Sequence, residues 1–314
     1  MSITETDLSG LDWDGWCDEA AEVAGEDGFA ERLGPNHAAV LVEKKPVLLV
    51  TFENIETIQA RSDKAHPIGW ELMEALGWSQ LSLVSNGGTW FRDPRVYGFF
   101  DRLIDDGFFE DFDKVIFYGA GPGGYAAAAY SVAAPGALVL ALQPQATLDP
   151  RVTEWDDRFH HMRRTDFTSR FGYAPDMLDA AERAVIIYDQ QNRLDAMHAA
   201  LFARPNVMRA RARFVGVELE AAFLKMQILY RMLAQLSSGR LTEVGLARLL
   251  RKRRDYPAYQ FTLLRHLEDS GRDRLVMMLC NSVLKRRNAR PFRKARNTAR
   301  ARLGLSPDDN TATG

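Results

Sequence analysis

The chain alternates short apolar runs with segments in which apolar residues recur every three or four positions. The apolar runs have the length of strands, and most of their positions are apolar, as expected for strands covered on both faces. The segments at helical spacing lie between them, so the pattern predicts a mostly parallel sheet sandwiched by helices. The predicted strands are WSQLSLVSN (78–86), DKVIFYGAG (113–121), GALVLALQP (136–144), ERAVIIYDQ (182–190) and NVMRARARFVG (206–216), with helices over 94–109 and 123–134.

Two regions flank this alternating pattern. Upstream, residues 37–54 contain two apolar runs around a polar turn at Glu43–Lys45, which predicts a hairpin. Downstream of Leu219 the pattern is helical throughout, with breaks predicted at Ser237–Arg240 and at Asp255–Pro257. The predicted fold class is therefore α/β with a C-terminal all-helical segment. The expected units are an acidic N-terminal leader (1–36), the α/β domain (37–220), a helical domain (221–304) and a flexible tail (305–314).

Charge separates the helical segment from the rest of the chain. Residues 240–304 carry 18 Lys and Arg against 5 Asp and Glu, a net charge of +13, whereas the remainder carries 22 against 37, or −15. This basic segment could bind nucleic acid or an anionic membrane, but its charge favours docking onto a protein partner or onto the acidic body, within one chain or between chains. Nucleic acid is the less favoured partner, because Phe292 is the one aromatic residue interleaved with the basic runs.

The remaining composition excludes several classes of protein. No run of eighteen apolar residues occurs, so no membrane span is expected, and the acidic N-terminus lacks the layout of a secretion signal. The two cysteines, Cys17 and Cys280, form no CxxC and no metal-ligand spacing. We expect a cytoplasmic protein without structural disulfides and without a bound metal.

The glycine-rich turn in KVIFYGAGPGGYAAAAYS (114–131) has two interpretations. Gly119, Gly121 and Gly124 fit the G-x-G-x-x-G turn of flavin- and nicotinamide-binding Rossmann proteins, in which a helix N-terminus holds a pyrophosphate. That interpretation predicts a flavin or nicotinamide nucleotide as cofactor. It also calls for an acidic residue at the tip of the next strand, where this chain has Gln143.

The same turn also resembles the nucleophile elbow of the α/β-hydrolase superfamily. YGAGPGGYAAAAYS is similar to the G-x-S-x-G-G-Y-A-A elbow of a bacterial branch associated with glycan modification, and residues 142–159 resemble the segment that follows in that branch. The resemblance covers roughly residues 37–220 and implies an α/β-hydrolase-like fold. Gly121 stands in the place of the nucleophilic serine, with Gly119, Gly123 and Gly124 around it.

The resemblance also implies where the other two members of a catalytic triad would lie. The acid would come from Asn192 or Asp195, with Asp189 as a third candidate. Val217 stands where the histidine is expected. Acyl transfer by a serine-type mechanism needs a nucleophile with a base within hydrogen-bond reach, so the triad chemistry is lost. The backbone of the elbow could still hold a phosphate, sulfate or carboxylate, or Gly121 could serve only the strained turn.

Two polar stretches supply further candidates. WDDRFHHMRRTDF (155–167) offers His160 or His161 as an acid/base and the pair Arg163 and Arg164 as an anion clamp, or it is a solvated charged segment. SNGGTWFRDP (85–94) follows a strand, so Asn86 and Trp90 could form part of the ligand pocket, or the stretch is a turn.

The chain also resembles bacterial proteins that carry the label phosphoadenosine phosphosulfate reductase. SNGGTW departs from the S-G-G-x-D-S-like phosphate loop of that family, and Cys280 lies in an apolar pattern rather than in an E-C-G-x-H-like setting. The interpretation that the lost triad favours is a catalytically degenerate α/β-hydrolase-like protein that binds a ligand or acts as a scaffold. Two alternatives stay open: a reductase or transferase acting on an anionic nucleotide-like substrate, and a Rossmann oxidoreductase.

Overall fold

The computed structural model describes residues 5–25, 28–44 and 46–305. Within them a single eight-stranded sheet has the strand order β1-β2-β4-β3-β5-β6-β7-β8. Strand β2 is antiparallel to both of its neighbours, β1 and β4. The other six strands, which are neighbours in the order β4-β3-β5-β6-β7-β8, run parallel to one another. The strands are β1 (Gly28–Arg32), β2 (His37–Val42), β3 (Val47–Asn54), β4 (Ser79–Ser85), β5 (Lys114–Ala120), β6 (Leu138–Leu142), β7 (Arg183–Tyr188) and β8 (Val207–Arg211).

Helices cover both faces of this sheet. In the described residues they are α1 (Trp13–Ala24), α2 (Ile55–Arg61), α3 (Gly69–Leu76), α4 (Pro94–Asp105), α5 (Pro122–Tyr130), α6 (Pro150–Thr153), α7 (Ala174–Met177), α8 (Arg193–Leu201), α9 (Leu219–Lys225), α10 (Leu229–Ser237), α11 (Glu243–Leu250), α12 (Pro257–Asp269), α13 (Asp273–Leu284) and α14 (Arg290–Arg302). The predicted fold class is confirmed, and the strand order with its glycine turn after the fifth strand is α/β-hydrolase-like.

Local sequence explains where several helices begin. The side chain of Asp93 accepts a hydrogen bond from the amide of Arg95, and Pro94 occupies the first position of α4. Thr242 caps α11 in the same way through the amide of Gly245. The predicted breaks are confirmed: α10 ends at Ser237, before Gly239 with φ +68°, and α12 begins at Pro257.

Two details of the N-terminal half differ from the sequence prediction. The hairpin predicted over 37–54 is wrong, because β4 lies between β2 and β3 and pairs with both. Lys45 of its predicted turn lies outside the described residues. Strand β1 is a second difference, since it belongs to the predicted acidic leader yet pairs with β2 at the edge of the sheet.

The described residues form four apolar cores. One lies on each face of the central strands, and a third packs α1 and α3 against the β2 end of the sheet. Helices α9–α11 contribute to the second of these cores, whereas α12–α14 enclose a fourth core of their own around Val276, Cys280 and Phe292. The domain boundaries predicted at 36/37 and 220/221 stay a prediction. The tail residues 306–314 lie outside the described part of the chain.

Candidate functional site

The elbow is a sharp turn of one residue between β5 and α5. Gly121 has φ +55° and ψ −120°, a conformation that residues with a side chain rarely adopt. Its amide donates a hydrogen bond to the carbonyl of Leu142 at 2.8 Å, and Tyr125 donates back to the Gly121 carbonyl at 3.0 Å. The turn therefore has the strained strand-to-helix geometry in which hydrolases of this fold present a nucleophile.

The glycines of the elbow differ in the space that a Cβ atom would have. A Cβ atom on Gly119 would lie 2.1 Å from the carbonyl oxygen of Gly123, and one on Gly123 would lie 2.1 Å from that of Phe52. A Cβ on Gly124 would be 3.0 Å from the carbonyl oxygen of Leu142, whereas one on Gly121 would meet no atom within 4 Å. Gly119 and Gly123 are thus required for close packing, while Gly121 has open space where a nucleophile would stand.

Two groups that acyl transfer needs are missing from this intact turn. Gly121 has no side chain to attack a carbonyl. The residue after the nucleophile normally donates its backbone N–H to the oxyanion, but Pro122 has no N–H. The sequence analysis did not draw this second consequence, although Pro122 can be read directly from the motif.

One of the three candidate acids, Asp189, contacts the loop that follows β8. Asp189 directly follows β7 and is buried, and its Oδ2 accepts a hydrogen bond from the backbone amide of Gly216 at 3.1 Å. Gly216 belongs to the loop after β8, and the next residue, Val217, is 74% exposed at the edge of a cavity. Among the three candidate acids, Asp189 is the one that contacts the loop of the missing histidine. Asn192 instead caps α8 through the amide of Asp195.

Asp195, which is buried, belongs to a partly buried network beside the elbow. Its carboxylate accepts hydrogen bonds from Nε2 of Gln143 at 2.8 Å and from Nη1 of Arg158 at 2.7 Å. The other side-chain atom of Gln143, Oε1, accepts from the amide of Leu219 at 3.0 Å. The contacts join the end of β6 to the start of α8 and to the start of α9, and they satisfy both groups of the Gln143 amide.

A buried pair, His198 and Asp156, is connected to this network through Arg158, and the sequence analysis missed it. Nε2 of His198 is 2.9 Å from a carboxylate oxygen of Asp156, and Nδ1 of His198 accepts from the amide of Ala146 at 3.1 Å, so Nε2 carries the proton. Both side chains are fully buried. Burial opposes ionisation of Asp156, but hydrogen bonds from His198 and Arg158 outweigh it and hold the pKa of Asp156 well below its usual range. The pair is structural because neither group reaches solvent.

The elbow opens into a cavity of about 920 Å³, here called the elbow cavity. Two arginines line it, and each is bound by two carboxylates. Arg61 lies 2.5 Å from Glu53 and 3.3 Å from Glu220, and Arg158 bridges Asp156 and Asp195. The elbow cavity is lined by Glu56, Thr57, Ala60, Arg61, Ala120, Gly121, Pro122, Gln143, Gln145, Arg158, Phe159, Asn192, Asp195, Val217, Glu218, Leu219, Glu220, Ala221, Leu224 and Lys225.

Glu220 is a buried carboxyl group in this lining. Burial raises the pKa of Glu220 above its usual value, although Arg61 acts in the opposite direction. Its Oε1 also accepts a hydrogen bond from the hydroxyl of Tyr118 at 2.6 Å. Both arginine charges in the elbow cavity are therefore offset by carboxylates that the fold itself supplies.

Six other predicted ligand residues, described below, are not among the residues that line the elbow cavity. His160, His161, Arg163 and Arg164 are exposed, and none of them lines it. Trp90 is buried, and its Nε1 donates to Oε1 of Gln145 at 3.2 Å. Trp90 faces a smaller cavity of about 310 Å³ that adjoins the elbow cavity, since six residues, including Arg61, Pro122 and Glu220, line both. Asn86 is exposed, and its amide donates to the carbonyl of Asn36.

The structure also bears on the alternative interpretations. The glycine turn follows the fifth strand of a hydrolase-like sheet rather than the first strand of a Rossmann unit, and Gln143 at the next strand tip is engaged by Asp195 and Leu219. Cys280 is buried, and burial raises the pKa of its thiol to about 11. In the described ranges, no group of three His, Cys, Asp or Glu side chains could hold a metal ion. No described helix is both long and apolar enough to span a membrane.

Comparisons with known proteins give structural matches alone. No protein-family model matches the chain. No curated protein matches it. Carboxyl esterase 2 from the fungus Tuber melanosporum is 12% identical over 68% of this chain and 84% of its own, with a TM-score of 0.43.

Two further solved structures match in the same range. A Glycosylation Associate Protein complex from Streptococcus agalactiae is 15% identical over 68% of this chain and 47% of that chain (TM-score 0.44). A fluorophosphonate-binding serine hydrolase from Staphylococcus aureus is 11% identical over 67% and 98% (TM-score 0.40). Because all three TM-scores are below 0.5, the fold assignment rests on the strand order and the elbow.

Proposed function

We propose that this α/β-hydrolase-like protein has no hydrolytic activity and binds a small ligand in the elbow cavity, as a ligand-binding or scaffold protein. The observation that carries the proposal is the pair Gly121 and Pro122 in a turn that keeps its strained geometry. Glycine adopts this conformation at little cost, and the space that a Cβ would fill at Gly121 is open toward the elbow cavity.

The chemical loss is large enough to abolish turnover. Removing one oxyanion donor costs about 10²–10³ in kcat, and removing a triad nucleophile alone costs about as much as removing the whole triad. Gly121 and Pro122 remove both, and Val217 stands in place of the base.

The elbow cavity has the size of a small-molecule site. Its volume of about 920 Å³ falls in the range of about 300–1,000 Å³ that such sites occupy. Since the charges of Arg61 and Arg158 are offset, the ligand that fits best carries little net charge. Glu56, Thr57 and Lys225 at its wall can bind polar groups of that ligand.

The basic segment 240–304 supplies the interaction part of the proposal. We infer that it docks onto an acidic protein partner or a second copy, since the rest of the chain carries a net charge of −15. We further propose a cytoplasmic location, which suits two buried cysteines that form no disulfide.

The experiment is mass spectrometry of the small molecule that gently purified protein releases on denaturation. Ala221→Trp places a bulky side chain in the wall of the elbow cavity, and Ala258→Trp, on the exposed start of α12, is the matched control. We expect a released compound from the wild type and from Ala258→Trp, and its loss from Ala221→Trp. Equal release from both variants would refute binding in the elbow cavity. Release of a flavin or nicotinamide nucleotide would instead favour the oxidoreductase interpretation.

A further inference from the structure

A groove lies at the opposite end of the parallel strands from the elbow cavity. It runs past the N-terminal ends of β5, β6 and β7 and has a volume of about 450 Å³. We call it the acidic groove, and it shares no lining residue with the elbow cavity. Its charged lining residues are Glu110, Asp113, Lys114 and Glu182. The carboxylates outnumber the lysine, whose Nζ atom donates a hydrogen bond to the carbonyl of Ser237 at 2.6 Å.

The floor of the acidic groove is apolar. Its lining includes Leu103, Phe109, Phe112, Val115 and Leu138, which are buried, and Ile104, which is 43% exposed. Residues 105–113, which contribute one wall, contain five acidic residues and no basic one. In residues 5–25, 28–44 and 46–305, no ion pair involves Glu110, Asp113 or Glu182. The groove therefore suits an occupant that is apolar at its centre and basic around it.

Helix α13, in the basic segment, presents an apolar surface to solvent. Its residues Val276, Cys280 and Val283 are buried in the core of α12–α14. Leu275 and Met278, by contrast, are 40% and 68% exposed, so no described part of the chain covers them. Residues three apart on a helix are neighbours on its surface, and these two therefore form one exposed apolar stripe.

Basic side chains flank this stripe. Arg274 precedes Met278 by four positions and Lys285 follows it by seven, so both lie on the Met278 side of α13. Both are exposed, and no ion pair among the described residues involves either of them. The one acidic residue of α13, Asp273, lies 3.5 Å from Arg302. The outer face of α13 is thus an apolar stripe with a basic rim.

We propose that the acidic groove of one copy of this protein binds the outer face of α13 of a second copy. An apolar floor with an acidic rim is complementary to an apolar stripe with a basic rim. Burial of Leu275 and Met278 against the floor stabilises the contact, and the opposite charges of the two rims set its orientation. The proposal rests on the inferred docking of the basic segment onto an acidic surface, and it names both surfaces.

Two different surfaces meet in this contact, so it is heterologous. A protein with an altered groove still presents a normal α13, and a protein with an altered α13 still presents a normal groove. A mixture of the two therefore rebuilds one intact contact, which two misfolded proteins would not do.

The test uses sedimentation velocity at about 150 mM salt, with variants of either surface. Glu110→Lys/Asp113→Lys reverses two exposed charges of the acidic groove. Arg274→Glu/Lys285→Glu reverses the two exposed charges that flank the α13 stripe. Met278→Gln is a second α13 variant, which removes apolar surface from the contact without changing its charge.

Matched controls carry the same charge changes at other exposed positions. Glu19→Lys/Glu22→Lys, on α1, is the control for the groove variant, and Arg293→Glu/Lys294→Glu, on α14, is the control for the charge variant of α13.

We expect the wild type to self-associate and the groove and α13 variants to associate at least about tenfold more weakly. The equimolar mixture of the two charge variants should associate at least about tenfold more strongly than either alone, and the controls should stay within about twofold of the wild type. A monomeric wild type at about 100 μM, a mixture that associates no better than its components, or an equal loss in the controls would overturn the proposal.

A fluorescein-labelled glutamate decapeptide separates this inference from the proposed docking of the basic segment. If the wild type stays monomeric but binds the decapeptide, and Arg274→Glu/Lys285→Glu does not, the occupant of α13 is an acidic protein partner. The second-copy proposal then fails while the docking inference stands. If the wild type does neither, both fail. Release of a ligand from the elbow cavity is measured separately and does not depend on either result.

Discussion

Gly121→Ser places the missing nucleophile on the elbow without changing the packing around it. The new Cβ meets no atom within 4 Å, so the cost comes from the φ of +55° alone. Residues held in such sparsely populated conformations cost about 1–3 kcal/mol each. We therefore expect the variant to fold with the free energy of unfolding lowered by that amount, measured by urea denaturation.

Restoring the hydroxyl is not expected to restore catalysis. Pro122 still offers no N–H to the oxyanion, and Val217 offers no base, so the serine stays at its ordinary low reactivity. The assay is hydrolysis of p-nitrophenyl acetate together with labelling by a fluorophosphonate probe. We expect neither to exceed the wild-type background.

The control for the strain is Gly136→Ser. Gly136 has φ +83° and open space around its Cβ, and it lies away from the elbow cavity. We expect a similar loss of stability there, which separates the backbone cost from any effect on the site. If Gly121→Ser hydrolysed the ester or became labelled, the site would contain a base and an oxyanion donor, and the reasoning above would be refuted.

Three further predictions concern packing, pH and thiol reactivity. Gly119→Ala should lower the free energy of unfolding by more than about 3 kcal/mol, because its Cβ would lie 2.1 Å from a carbonyl oxygen. Gly121→Ala should lower it by less, because its Cβ would meet no atom within 4 Å. Similar losses in the two variants would contradict the packing argument. Asp156→Asn should lose about 3 kcal/mol at pH 7, with exposed Asp157→Asn as the control. Because the pKa of Asp156 is depressed in the folded protein, its contribution to stability is present above about pH 4 and fades as the pH falls further. The difference in free energy of unfolding between wild type and Asp156→Asn should therefore be smaller at pH 3 than at pH 7, as measured by urea denaturation. An equal difference at both pH values would exclude ionisation of Asp156 as its source. Burial raises the pKa of Cys17 to about 12 and that of Cys280 to about 11. A disulfide reagent at pH 8 should therefore label the native protein far more slowly than the unfolded protein. Equal labelling rates would show that the thiols are accessible in the native protein.

The sequence predicts the central sheet because its strands are buried on both faces. The runs 113–121 and 182–190 are apolar at every position of their central stretches, 115–118 and 184–188, and each contains a strand in the structure. The glycine turn is equally local, since its residues are contiguous. Pairing is not local, which is why the hairpin prediction over 37–54 was wrong: both strands exist, but β4 inserts between them.

The candidate site could be predicted only where its residues follow the elbow motif. Gly121 and Val217 were identified by their places after β5 and β8. His198 and Asp156 are 42 positions apart, and nothing in the sequence pattern indicates that they meet. Conversely, the dense polar run 155–167 predicts a site at His160 and Arg163, but these residues are exposed and do not line the elbow cavity, whereas Arg158 and Phe159 of the same run do.

The most direct test of the central claim is the intact mass of wild-type protein after incubation with excess fluorophosphonate. The account predicts an unchanged mass, because the elbow presents Gly121 and Pro122 to the probe. A stoichiometric mass increase, mapped to any residue lining the elbow cavity, would show an activated nucleophile there and contradict the claim that the protein is not a hydrolase.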